Sequence, residues 1–510
     1  MWIQAAVITV LCCAGLCVAD YPCAKKAEKY GVVCVCNATY CDYVHQTTAA
    51  ELANKVVRYY VSSNAGDRMT LKLTKAARQA SRASASTIIV DESKKYQTML
   101  GFGGTTTDSA ALNVKSLSSK TEEMLLKQYF SAAGIGYTFV RVPVGGTDQS
   151  SRKYALMSDH VGDTQLTHFD LAPEDYKYKI PVLKAALALK KDLKLFAAPW
   201  SAPDWMKHID TKTDASYLLP QYYEPWAKIY TKFFQYYKKS GISFWGYTPQ
   251  NEPTHGLTNG GFNSMGWQAE KLLDWTLSHL VPNLRSAGFG GMELMVLDDQ
   301  RSWVPSWTKV FFSNSTMRNL AKGTAVHWYS DTTTRATVLT QAHDAYPDKF
   351  LLYTEACSGS YAKGDILLGS WDRAALYATD IIDNINHWVT GWVEWNIAVN
   401  FDGGPAWYGN SADSSIVVDA SKDVFYKQPM FYVMAAFSKF VRPGAVHVGS
   451  EVKGDTANLE VCAFVNTDGV KVVMVHSKSN AAETVTITDR NFGHININIP
   501  AKSLTTVLYK

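Results

Sequence analysis

Ile242-Ser-Phe-Trp-Gly-Tyr-Thr-Pro-Gln-Asn-Glu-Pro253 is the stretch from which the fold of this chain can be read. An apolar run, Ile242 to Tyr247, climbs into an amide, a carboxylate and a proline. Proline cannot continue a ladder and restricts the residue before it, so the run reads as a buried strand that stops at Glu252 and aims that side chain outward. A charge at the C-terminal end of a buried strand is costly unless it does chemistry. Asn-Glu-Pro also occurs at ordinary turns, so the meaning of Glu252 depends on whether a second strand ends in the same way.

Seven other apolar runs follow the same pattern. They are Thr98 to Gly103, Tyr137 to Val144, Leu193 to Pro199, Glu293 to Leu297, Thr324 to Tyr329, Phe350 to Thr354 and Trp388 to Trp395. Segments with apolar residues at three and four spacing lie between them, such as Tyr176 to Leu189, Pro225 to Lys239, Ala269 to Ala287 and Ala374 to His387. Eight strand-helix units between about residues 96 and 428 predict an α/β fold, a (β/α)8 TIM barrel. A doubly wound open sheet would need a phosphate or dinucleotide signature. Gly101-Phe-Gly-Gly lacks the G-x-G-x-x-G pattern, and no cofactor is expected. The flanks are rich in strand formers: Val56 to Val61, Met69 to Thr74 and Ser86 to Val90 before the barrel, Val470 to His476 and Ile495 to Ile499 after it. Segments 20–95 and 429–510 together predict an antiparallel β-sandwich built from both chain ends.

The 510 residues exceed what one core usually supports, which agrees with two domains. Net charge is +4 and the basic residues are dispersed, which argues against nucleic acid as a partner. Residues 1–19 are almost uninterruptedly apolar and end in small residues, the pattern of a secretory signal peptide, although a basic n-region is missing. Cys23, Cys34, Cys36 and Cys41 follow at once, a density suited to an oxidising compartment. Four cysteines allow three connectivities. Neighbours Cys34 and Cys36 are poorly placed to pair with each other, which favours Cys23 with Cys34 and Cys36 with Cys41; a zinc site made of all four is the alternative. Cys357 and Cys462 lie in apolar runs and read as free, buried thiols. Asn37-Ala-Thr and Asn314-Ser-Thr are N-glycosylation sequons that export would expose to modification.

In barrels of this kind the active site gathers at the C-terminal strand ends. Those ends supply Asp148 after strand two, Trp200 after three, Asn251 and Glu252 after four, Asp298 and Asp299 after five, His327, Trp328 and Tyr329 on six, Glu355 on seven, and Trp395 with Asn396 on eight. No nucleophile elbow, metal-spaced cluster or phosphate loop accompanies them. Two carboxylates ringed by tryptophans suit glycosidic cleavage: one protonates the leaving oxygen, one attacks, and aromatic faces hold the sugar. Glu252 and Glu355 stand 103 residues apart (355 − 252), which at the size of one strand-helix unit puts them across the mouth, within the about 5 to 5.5 Å of a retaining pair. Asn251 suits a bond to a sugar 2-hydroxyl, and His327 and Tyr329 could orient the nucleophile or simply pack. The Asp298-Asp299 doublet reads as an arginine-paired feature, with Arg301 at hand.

Thr248 to Pro253, Thr354-Glu-Ala-Cys-Ser-Gly-Ser, Leu368-Gly-Ser-Trp-Asp-Arg, Leu297-Asp-Asp-Gln-Arg and Ala325-Val-His-Trp-Tyr resemble the lysosomal glucosylceramidases of glycoside hydrolase family 30. The likeness runs from the cysteine cluster to the C-terminus. It implies Glu252 as acid/base, Glu355 as nucleophile, and Asp148, Trp200, Asn251, Trp395 and Asn410 around the glucosyl hydroxyls. It also implies glucosylceramide at a membrane surface as substrate, a saposin-like activator and a lysosomal sorting receptor as partners, and a lysosomal lumen destination with secretion as the alternative. Trp205, Tyr217, Leu218, Leu219 and Tyr222 are the candidate membrane contacts. Gln149 and Pro249-Gln250 depart from the family pattern, which has an aromatic and Ala-Glu there.

Overall fold

The computed structural model describes residues 21–510 except 85, 259, 360–365 and 455; the expected signal peptide lies outside the described residues. Eight parallel strands close into a barrel: Gly101–Thr105, Phe139–Val144, Lys194–Pro199, Gly246–Tyr247, Glu293–Gln300, Ala321–His327, Phe350–Glu355 and Val389–Asn396, here called barrel strands one to eight. Period two sets what they point inward. Phe139, Phe196, Met295, Ala325, Leu352 and Val393 pack as one buried layer at the bottom. Two residues further along the same strands come Arg141, Ala198, His327, Thr354 and Trp395, so the next layer up turns from apolar to charged.

Strand four is shorter than its apolar run. Only Gly246 and Tyr247 pair with both neighbours. The ladder therefore stops at Tyr247, not at Glu252. Thr248 and Asn251 still donate backbone bonds to Ala197 and Pro199 of strand three, and the Glu252 N–H reaches Asp298 of strand five at 2.8 Å. Glu252 itself adopts a left-handed φ of 42°, so its direction is set by these bonds rather than by the strand pleat. Two expected helices are also interrupted. Wide π-turns at Asp175–Lys179 and Thr276–Leu280 precede Ile180–Leu189 and Val281–Ser286. Each lies just before a proline, Pro181 or Pro282, whose missing N–H and ring crowd the preceding turn.

The flanking segments build a nine-stranded sheet that mixes both chain ends: Ser86–Thr98 lies between Glu483–Asp489 and Val446–Gly454, and Val56–Ser63 pairs with Ser503–Tyr509. One pairing departs from the antiparallel expectation, since Glu483–Asp489 runs parallel to Ser86–Thr98. The sheet folds on itself, bringing Ala77 within a 2.7 Å backbone bond of His494, around a core of Val57, Ile88, Val473, Ile487 and Ile495. The sandwich is pinned to the barrel at Gln97, which donates to the carbonyls of Ile385 and Val389 at 2.7 and 2.9 Å, and at Thr379, which bonds Glu460.

The cysteine segment forms its own small sheet. Lys25–Glu28 and Gly31–Asn37 make a hairpin that adds to Val424–Lys427 and Ile416–Asp419. Disulfides join Cys23 to Cys34 and Cys36 to Cys41, which excludes the four-cysteine zinc site. Non-reducing peptide mapping is expected to return these two bridges, and four free thiols with a bound zinc would contradict the pairing. Asn37, which ends the strand Gly31–Asn37, and Asn314, which caps the helix Ser315–Leu320, are each partly exposed. Cys357 and Cys462 are buried and outside any disulfide, but Cys357 follows strand seven instead of lying within a strand.

Candidate active site

The strand ends form a pocket lined by Asp148, Trp200, Asn251, Glu252, Tyr329, Glu355, Trp395 and Asn410, with Phe262, Cys357 and Ala412 completing its wall. Every residue expected to touch substrate is there except His327, which lies behind the carboxylates, fully buried. Asn410, on the connection after strand eight, donates to Asp148 Oδ2 at 2.6 Å. Gln149 points away from the pocket and donates to the Asn410 carbonyl at 2.9 Å, so this departure from the family pattern props a pocket residue. Trp200 and Trp395 stack at 5.2 Å.

Arg141 organises the floor. Its guanidinium donates to Glu355 Oε2, to Asn251 Oδ1 at 2.6 Å and to Asp298 Oδ2 at 2.8 Å, and lies 4.8 Å from the Trp200 ring. The Asp298 partner is thus Arg141; Arg301 instead meets Asp331 at 3.2 Å. Asp298 also accepts from the hydroxyls of Thr248 and Thr354, both at 2.7 Å. The sequence reading passed over Arg141, yet a charged residue in the middle of Phe139-Val-Arg-Val was a visible signal, because a buried arginine needs carboxylates to face it. Gln300, which donates to Glu252 Oε1 at 2.8 Å, was also missed.

His327 bridges two carboxyls, Nδ1 to Glu252 Oε1 and Nε2 to Asp298 Oδ1, each at 3.0 Å. Burial works against its charge, but Glu355, Asp298 and Glu252 outweigh burial and its pKa is pushed up to about 10. Donor atoms of Glu252, His327 and Glu355 lie within 4.8 Å of one another, close enough for a metal. An imidazolium has no free lone pair, so the cluster is a charge network and not a ligand set. Burial would raise Asp298, yet Arg141 and His327 hold it well below the usual carboxylate range. Two cations face three carboxyls, so the cluster is neutral when one of Glu252 and Glu355 carries a proton.

Glu252 and Glu355 shift in opposite directions. Burial raises both; bonding to His327 brings Glu252 below its ordinary value, whereas Glu355 stays above its own, with His327 and Arg141 opposing the rise and Glu252 adding to it. Tyr329 donates its hydroxyl to Glu355 Oε1 at 2.8 Å and meets Cys357 Sγ at 3.4 Å. Burial, with Glu355 adding to it, lifts Asp148 to about 7.

A barrel whose mouth holds two close carboxyls, a charged floor and stacked tryptophans defines a glycosidase. Residues 99–441 match the glycosyl hydrolase family 30 TIM-barrel domain and 444–507 its β-sandwich domain, and the chain belongs to that family. It is 39% identical to lysosomal acid glucosylceramidase of Mus musculus over 96% of both chains. An endo-1,6-beta-D-glucanase of Aspergillus fumigatus is 26% identical over 91% of this chain and 96% of its own. Among solved structures, SrfJ from Salmonella typhimurium superposes with a TM-score of 0.81 at 27% identity, over 89% of this chain and 99% of that one.

Proposed function

We propose that the protein is a retaining β-glucosidase that hydrolyses glucosylceramide to glucose and ceramide, a step of sphingolipid catabolism. The observation that carries the mechanism is the approach of Glu252 and Glu355 within 4.8 Å, far short of the roughly 6.5–9.5 Å an inverting pair needs for an intervening water. Glu252 protonates the glycosidic oxygen while Glu355 attacks the anomeric carbon. Ceramide leaves, and Glu252 then deprotonates the water that opens the glucosyl ester. Asp148, Asn251, Asn410, Trp200 and Trp395 surround the sugar.

Double displacement needs a proton on Glu252, whereas in the free enzyme burial raises Glu355 and bonding to His327 lowers Glu252. The contacts support Glu252 as the carrier of that proton. Both oxygens of Glu355 accept bonds, one of them from a guanidinium, while Glu252 takes its two bonds on Oε1 and keeps Oε2 for a proton. A neutral Glu355 would leave the Arg141 charge half-matched in a dry site.

Among the described residues no helix is long and apolar enough to cross a membrane. A lipid substrate therefore has to be met from outside the bilayer. Leu218 is only 2% exposed, locked in a strand pair with Lys207–Ile209, so it is not a docking residue. Exposed Tyr217, Leu257, Trp303, Phe401 and Tyr408, on connections that follow barrel strands three, four, five and eight, take that role. Relatives named for lysosomal glucosylceramidase support a lysosomal destination; an activator protein and a sorting receptor follow from the same resemblance, as does glycosylation at Asn37 and Asn314 after signal removal.

Family 30 relatives named for β-1,6-glucan cleavage supply the second reading. The groups gathered around a single sugar, Asp148, Asn251, Asn410, Trp200 and Trp395, suit a terminal glucose better than the middle of a polymer. Purified protein given glucosylceramide in anionic vesicles, and separately a linear β-1,6-glucan, is expected to release ceramide from the first and little from the second. The first glucose formed should be the β anomer by proton NMR. Oligosaccharides without ceramide would replace the lipid substrate, and α-glucose would remove the double displacement.

A further inference from the structure

Barrel strand five carries a bulge against strand six. The pairing shifts register between Leu297 and Asp299, and Leu297 and Asp298 take left-handed φ values of 75° and 61°. Such bulges re-aim side chains. Here three successive residues converge on the segment Glu252 to Thr254 that follows strand four. The Asp298 carbonyl accepts from the Glu252 N–H. Asp299 Oδ2 accepts from the backbone N–H and hydroxyl of Thr254 at 2.9 and 2.8 Å, which ties down the chain two residues beyond Glu252. Gln300 Nε2 donates to Glu252 Oε1 at 2.8 Å, the same oxygen that meets His327 Nδ1. The other end of this amide, Gln300 Oε1, is buried without a partner among the described residues. The Gln300 side chain therefore makes its bond to Glu252 at the expense of its own acceptor, which points to a task other than holding the fold together.

We propose that Gln300 is a positioning residue for Glu252, supported by Asp299: with His327 it saturates Oε1 and confines the transferable proton to Oε2, the oxygen turned toward the leaving group. The inference rests on the acid/base role of Glu252 given above. A carboxyl can carry its proton on either oxygen, and only one of them faces the glycosidic bond. Two donors on Oε1 make it a poor site for the proton and stop the carboxyl from rotating. Gln300 also stabilises the ionised form, so its removal raises the pKa of Glu252.

The test compares Gln300→Met, equal in length but without a donor, and Gln300→Glu, on an alkyl β-glucoside and on dinitrophenyl β-glucoside, with kcat/KM followed against pH. An alkoxide leaving group needs the proton and a dinitrophenolate does not. Gln300→Met is expected to lose roughly 10- to 100-fold on the alkyl glucoside and less than about twofold on the dinitrophenyl glucoside. The basic limb of its alkyl-glucoside profile should move to higher pH. Gln300→Glu should recover alkyl-glucoside activity only at pH low enough to protonate the introduced carboxyl, which then donates in place of the amide. Equal losses on both substrates with an unmoved basic limb would overturn the proposal and leave Gln300 a packing residue. Glu252→Ala run in parallel separates the two claims: if it too lowers both substrates equally, the acid/base role of Glu252 itself fails.

Discussion

Glu355→Gln should lose about four orders of magnitude or more in turnover, on every substrate and at every pH. An amide cannot form the glycosyl ester, and Asp298 cannot take its place, being held by Arg141, His327 and two threonine hydroxyls. The loss is expected in kcat with little change in binding, because the residues around the sugar are untouched. Tyr329 can still donate to the amide oxygen, so circular dichroism should report an intact fold. The amide group facing Arg141 is less favourable than a carboxylate, and a modest fall in melting temperature should accompany the change. Turnover comparable to wild type would remove Glu355 as the nucleophile.

Glu252→Ala differs in kind. Substrates with poor leaving groups should slow by about 10²- to 10⁴-fold, while activated aryl glucosides still form the glucosyl-enzyme and stall there for want of a base. Azide should then restore turnover and yield β-glucosyl azide, since a small anion fits the space left by the carboxyl and attacks from the face that water would use. Both His327 and Gln300 lose a partner in this variant. With Glu355 esterified and Glu252 gone, only Asp298 faces the two cations Arg141 and His327, so the variant should admit an anion more readily than wild type. An α-azide, or no azide product with any leaving group, would deny Glu252 acid/base duty and deny a retaining course.

How far the chain could be read before folding follows from the range of each interaction. The barrel was legible because its signals are local. Each strand is an apolar run ended by a proline or a polar cluster, each helix repeats at three and four, and eight such units leave few other ways to bury their faces. The family strings around Glu252 and Glu355 are equally local. Even the disulfide pairing was within reach, since neighbouring Cys34 and Cys36 have so few partners. The wrong details came where a neighbour overrides the local pattern. Strand four stops at Tyr247 because strands three and five, not the apolar run, supply the bonds that carry the chain on to Glu252. Leu218, which reads as a loop apolar residue, is claimed by a short strand pair.

What sequence alone determined is the list of groups at the strand ends and the class of chemistry they suit. The charge state of those groups was decided by the tertiary structure. Arg141 and Glu355 are 214 residues apart along the chain, and His327 and Asp298 are 29 apart; nothing in either stretch announces its partner. Asp298 beside Asp299 could as well have met Arg301. Closing the barrel chose Arg141 instead, and the bulge in strand five turned Gln300 onto Glu252. Electrostatic energy depends on separations of a few ångströms in a dry interior, and those separations exist only once the eighth strand has paired with the first.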